Sequence, residues 1–134
     1  MDNQFPTGMY VRGYIASDDL RTATPIPLFD ADGISVSPAN YLTRRMIIDN
    51  LLLANGGTSS VITVFADTDG NGSLASGEEL VSVSLPANGQ VVFPVAGALA
   101  SRKFAASNVN TLYVVQSVAS AATRITLVGR IINS

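Results

Sequence analysis

From residue 124 to 131 the side chains change character at every step: Ile125, Leu127, Gly129 and Ile131 alternate with Arg124, Thr126, Val128 and Arg130. A period of two is that of a strand with one face on a core and one in water, because successive side chains leave a strand on opposite sides. The same wording recurs where Val81, Val83 and Leu85 alternate with Ser82 and Ser84. Residues 9–16, 61–65, 90–95 and 112–118 are further extended runs rich in β-branched and aromatic residues. In residues 41–54, Leu42, Met46 and Leu53 would line a helix, but Asp49-Asn50 interrupts that stripe. A long strand from Arg45, closed by Asn55-Gly56-Gly57, fits better.

Turn chemistry punctuates these runs. Pro86-Ala87-Asn88-Gly89 separates two strands, and Asp30-Ala31-Asp32-Gly33 predicts a hairpin between the short apolar pieces 26–29 and 34–36. Pro27 confines the first of those pieces to an edge or a strand start. Residues 17–27 read as a loop, and 96–108, rich in small residues, as a loop carrying one helical turn, with Lys103 after Arg102 inside it. About eight short strands predict an all-β fold, an antiparallel two-sheet sandwich of jelly-roll or Greek-key type. The 134 residues make one such domain, with residues 1–8 as a flexible N-terminal arm.

Between two of the strands lies Asp67-Thr68-Asp69-Gly70-Asn71-Gly72-Ser73-Leu74-Ala75-Ser76-Gly77-Glu78. A twelve-residue calcium loop takes side-chain oxygens at positions 1, 3, 5 and 12, a backbone carbonyl at 7 and glycine at 6. Asp67, Asp69, Asn71 and Glu78 supply the side-chain ligands, Ser73 the carbonyl, and Gly72 the turn. Water at the Ala75 position and apolar Leu74 beside it complete the match. The flanks are strands rather than helices, so the expectation is a Ca2+ brace across a hairpin that ends one strand at Ala66 and begins the next near Glu79. The competing reading is a metal-free polar turn, since Asp-Gly and Asn-Gly are themselves hairpin residues.

Composition narrows the chemistry. Neither histidine nor cysteine is present, which removes the usual base and the thiol nucleophile, the imidazole and thiolate metal ligands, and any disulfide. The two glutamates, Glu78 and Glu79, sit together at the loop, and Asp18, Asp19, Asp30 and Asp32 read as turn residues. No glycine pattern for phosphate binding follows a strand, and the four tyrosines are dispersed. An enzyme is not expected. The net charge is -2 with the eight basic residues scattered, so no nucleic-acid face is expected. No run approaches the roughly 18 apolar residues of a membrane span, and residues 1–8 lack the pattern of a signal peptide, which predicts a soluble product made in the cytoplasm. Charged residues are 13% of the chain, against about 25% in an ordinary domain. Such a thin charged coat predicts that part of the surface is covered by other protein; the alternative is a surface of Ser, Thr, Asn and Gly, polar without charge.

The order of residues 46–55, Ser59-Ser60-Val61-Ile62-Thr63-Val64-Phe65, residues 85–95 and Ile125-Thr126-Leu127-Val128-Gly129 resembles the small β-sandwich structural proteins of tailed bacteriophage particles, namely capsid decoration (cement) proteins and small tail or neck proteins. The likeness spans about residues 41–132, rests on strand order and loop wording, and does not include the calcium-like loop. It implies a non-enzymatic virion protein, assembled in the host cytoplasm. Such a protein buries surface against the major capsid protein or other virion subunits, and a homo-oligomer, a trimer by preference, is expected. Phe5, Met9 and Tyr10 are the anchors expected of an arm lying across a neighbour; alternatively the arm is a free tail and Tyr10 belongs to the first core strand. The other reading of the chain is a calcium-stabilised, adhesin-type surface module that binds a receptor or glycan. A sandwich-fold hydrolase would need residues that are missing.

Overall fold

The computed structural model describes residues 9–36, 44–67, 72–94, 102–103 and 112–133. Among them are ten strands: β1 (Met9–Ser17), β2 (Thr24–Pro25), β3 (Leu28–Asp30), β4 (Arg44–Ala54), β5 (Ser60–Ala66), β6 (Glu79–Leu85), β7 (Gln90–Pro94), β8 (Arg102–Lys103), β9 (Leu112–Gln116) and β10 (Thr123–Asn133). All pairings are antiparallel, and no helix occurs among the described residues. The larger sheet runs β3-β1-β10-β4-β7, with β8 pairing the other half of β4; the smaller runs β2-β9-β5-β6.

Setting aside β3, which adds to the outer edge of β1, and β8, which pairs the far end of β4, the remaining eight lie in the order first, eighth, third, sixth in one sheet and second, seventh, fourth, fifth in the other. That is jelly-roll order, in which the chain repeatedly crosses between sheets and folds two Greek keys into one sandwich. The expected two-sheet antiparallel fold is therefore the one observed. Two local expectations change. Arg102 and Lys103 are not in a loop but pair with Met46 and Arg45 of β4, and the expected loop at 17–27 contributes β2, which pairs Thr24 and Pro25 with Val114 and Tyr113. Strands this short leave almost no periodic signal.

The core lies between the sheets. Val11, Leu28, Ile48, Leu51, Leu53, Ile125 and Leu127 from the large sheet meet Ile62, Val64, Ala66, Leu85, Leu112 and Val114 from the small one, with Leu20 and Ile26 closing one side. Burying each large aliphatic side chain contributes about 1.5–3 kcal/mol. Gly13 stands in β1 where a Cβ would lie 3.0 Å from side-chain atoms of both Leu127 and Leu28, so any side chain there would have to displace these core leucines. In β4 the inward positions are Ile48, then Leu51 and Leu53. Strict alternation cannot place 48 and 51 on one face. The pairing with β10 shifts between Val128 and Gly129, making Asp49 the extra residue of a bulge that restores the apolar phase.

Turns hold as their residues predict. Gly33, at φ 80°, donates to Asp30 O at 3.0 Å, while Asp30 Oδ1 accepts from the Asp32 and Ile34 amides at 2.9 Å each. Asn88 is left-handed at φ 61°, and Gly89 N–H donates to Pro86 O at 3.0 Å.

Candidate functional site

The twelve-residue loop joins β5 to β6 with the boundaries its chemistry predicts. Asp67, its first residue, is 2% exposed, and Glu78, its last, is 3% exposed. The hairpin brings their backbones together, because Ala66 N–H donates to Glu78 O at 3.0 Å and Phe65 pairs with Glu79. Asp67 Oδ2 accepts from Gly72 N–H at 2.9 Å, and Glu78 Oε1 accepts from Ala75 N–H at 2.8 Å. Gly72 has φ 71°, the left-handed conformation that suits glycine at the turn. Ser73 is exposed. Asp69 and Asn71 lie outside the described residues, and among the described residues no three His, Cys, Asp or Glu side chains gather into a metal-binding group.

Two buried carboxylates at the ends of a loop, with a left-handed glycine between them, fit a hard cation with oxygen ligands. The same carboxylates also accept backbone amides, which closes the loop on itself. The loop has a second contact with the fold. Phe65 belongs to the outward-facing set of β5, Val61, Thr63 and Phe65, yet it is wholly buried and lies outside the core cluster. It stacks on Tyr113 of β9, ring centroids 5.4 Å apart. A Cβ on Gly72 would lie 3.9 Å from the Tyr113 hydroxyl, so Gly72 sits beside the end of this aromatic pair on the outside of the small sheet.

The outer face of the large sheet is different. Tyr10, Arg12, Tyr14 and Ala16 of β1 point outward beside Arg124, Thr126, Val128 and Arg130 of β10, with Leu52 of β4 and Val92 of β7 beyond. Tyr10 is 43% exposed, Tyr14 48% and Val92 57%. Tyr10 thus stands in the first strand, on its outer side. Phe5 lies outside the described residues, as do residues 1–8 altogether, and Met9 begins β1.

Sequence reasoning missed a polar cluster buried at one end of the sandwich. Gln116 Nε2 donates to Ser60 Oγ at 2.7 Å and lies 3.1 Å from both Asn55 Oδ1 and Thr123 Oγ1. Asn55 Nδ2 donates to the carbonyls of Thr58, Leu85 and Pro86, which fixes its Oδ1 toward Gln116. Gln116 Oε1 meets no donor among the described residues. The signal was present: Gln116 has the parity of Leu112 and Val114, both buried. All these groups are amides and hydroxyls, suited to holding the ends of β5, β9 and β10 together rather than to moving protons.

Comparison with protein-family models, curated proteins and solved structures returns no match.

Proposed function

We propose that this chain is a non-enzymatic structural protein of a bacteriophage virion, decorating or stabilising the capsid, tail or neck by burying surface against neighbouring subunits. In this reading the protein assembles as a homo-oligomer, a trimer by preference, and contacts the major capsid protein or another virion subunit. Loop 67–78 holds Ca2+ through Asp67, Asp69, Asn71, Glu78 and the Ser73 carbonyl as a brace between β5 and β6, with no part in catalysis.

The observation that supports this reading is the outer face of the large sheet, where Tyr10, Tyr14 and Val92 are exposed on a chain with only 13% charged residues. Apolar side chains grouped on an open sheet face are characteristic of surfaces that are covered in an assembly. Jelly-roll order adds support by analogy alone, since viral capsid domains share it with lectins and cupins.

The test is assembly. Mass photometry of the purified chain should show a closed oligomer, and mixing it with particles that lack it should give stoichiometric addition. A monomer that leaves such particles unchanged overturns the proposal.

A further inference from the structure

We infer that the outer face of the large sheet holds an extended acidic segment of a different protein, in which two carboxylates four residues apart flank an apolar residue. The inference names the partner's chemistry for the surface proposed above and rests on that reading only for where the partner is found.

The floor is a groove of about 340 Å³ lined by Arg12, Gly13, Tyr14, Phe29 and Thr126. It lies where β3 leaves β1: Gly13 pairs with Leu28 and Tyr14 N–H still donates to Pro27 O at 3.2 Å, but Ile26 N–H donates to Leu112 O of the small sheet. Tyr14 and Phe29 give the groove aromatic walls and Thr126 a hydroxyl. Mostly apolar walls with a few polar groups suit an apolar side chain.

Charge decides what else the occupant carries. Of the three arginines on this face whose side chains are described, Arg130 is neutralised by a two-pronged bond to Asp49. Arg12 and Arg124 are exposed and have neither an ion pair nor a hydrogen bond among the described residues. Cross-strand register sets their spacing. Arg12 lies one row before the Tyr14–Thr126 pair, and Arg124, opposite Ala16, one row after it. Each row advances two residues, so the guanidinium rows are separated by about 13 Å along the strands. An extended peptide spans the same length in four residues and points positions i, i+2 and i+4 to one side. Carboxylates at i and i+4 then reach Arg12 and Arg124, and an apolar side chain at i+2 enters the groove.

A second copy of this chain is a poor occupant. Its acidic residues are Asp2, Asp18, Asp19, Asp30, Asp32, Asp49, Asp67, Asp69, Glu78 and Glu79, and no two are four positions apart. No segment of this sequence therefore carries the complement, and the proposed occupant is a different polypeptide.

Fluorescence anisotropy with the labelled peptide Ser-Glu-Thr-Leu-Thr-Glu-Ser tests this directly, with the same residues reordered to put the glutamates adjacent as control. The spaced peptide should bind more tightly than the control and weaken as salt rises. Arg12→Ala and Arg124→Ala should each weaken it about tenfold, while Arg12→Lys retains part of the affinity. Equal binding of both peptides, or variants that bind like the parent, overturns the inference. So does tighter binding of a single-stranded oligonucleotide to these arginines, or self-association of the parent chain that Arg12→Ala abolishes. Particle assembly separates the two proposals: wild-type incorporation of the Arg12→Ala, Arg124→Ala double variant overturns the groove and spares the structural role. A chain that binds the spaced peptide but ignores particles does the reverse.

Discussion

Arg130 holds Asp49 with two hydrogen bonds, Nε to Oδ2 at 3.0 Å and Nη2 to Oδ1 at 3.1 Å, directly over the bulge that Asp49 creates in β4. The extra residue turns a carboxylate outward, and the next strand supplies the cation that occupies it. The Arg130 guanidinium is held above its ordinary pKa, chiefly by the hydrogen bonds to Asp49 and then by its charge.

Because both side chains are partly in water, the pair contributes little despite its geometry: Asp49→Asn should cost under about 1 kcal/mol. Urea denaturation at low and high salt checks this, and a larger, salt-independent loss would mean that the bulge itself depends on the carboxylate.

Replacing Gln116 should cost more. Gln116→Met removes the amide that links Ser60, Asn55 and Thr123 and should lower stability by about 1–3 kcal/mol. Gln116→Glu places a buried carboxylate against Asn55 Oδ1 and should be worse still at neutral pH. A neutral Gln116→Met in chemical denaturation would show that the cluster adds nothing to the fold.

Calcium should raise the melting temperature and chelator lower it, by an amount corresponding to about 2.7 kcal/mol when free ion is 100 times its dissociation constant. Asp69→Ala should abolish the response. Asp67→Ala should do so too, and should also lower the chelated baseline, because Asp67 closes the loop on Gly72. Melting curves identical with and without calcium count against the ion.

The Asp19 carboxyl is lowered from 3.8 to about 2, first by the side-chain hydrogen bonds from Arg21 and then by the Arg21 backbone amide. A folded-state pKa below the unfolded one gives stability that is present above about pH 3.8 and lost as pH falls toward 2. Carboxyl NMR titration should place the Asp19 midpoint near 2 in the parent and nearer 3.8 in Arg21→Ala. Equal midpoints would mean that the exposed pair is too mobile in water to hold the proton off.

What the sequence determined by itself was local. The alternation in β6 and β10, the turns at 30–33 and 86–89, and the bounds of β5 and β6 around the acidic loop follow from period-two patterning and turn chemistry, which act over a few residues. Tertiary structure decided which sheet each strand joins, because that depends on pairings between residues as distant as Met9 and Ile131. It placed Arg12, Tyr14, Phe29 and Thr126 around one groove from three strands. It also buried Phe65 against Tyr113 on the side its parity would expose, and set Ile48 and Leu51 on one face through a bulge. Alternation tells which side of a strand a residue takes; what lies on that side, core, loop or water, is settled only when distant segments pack.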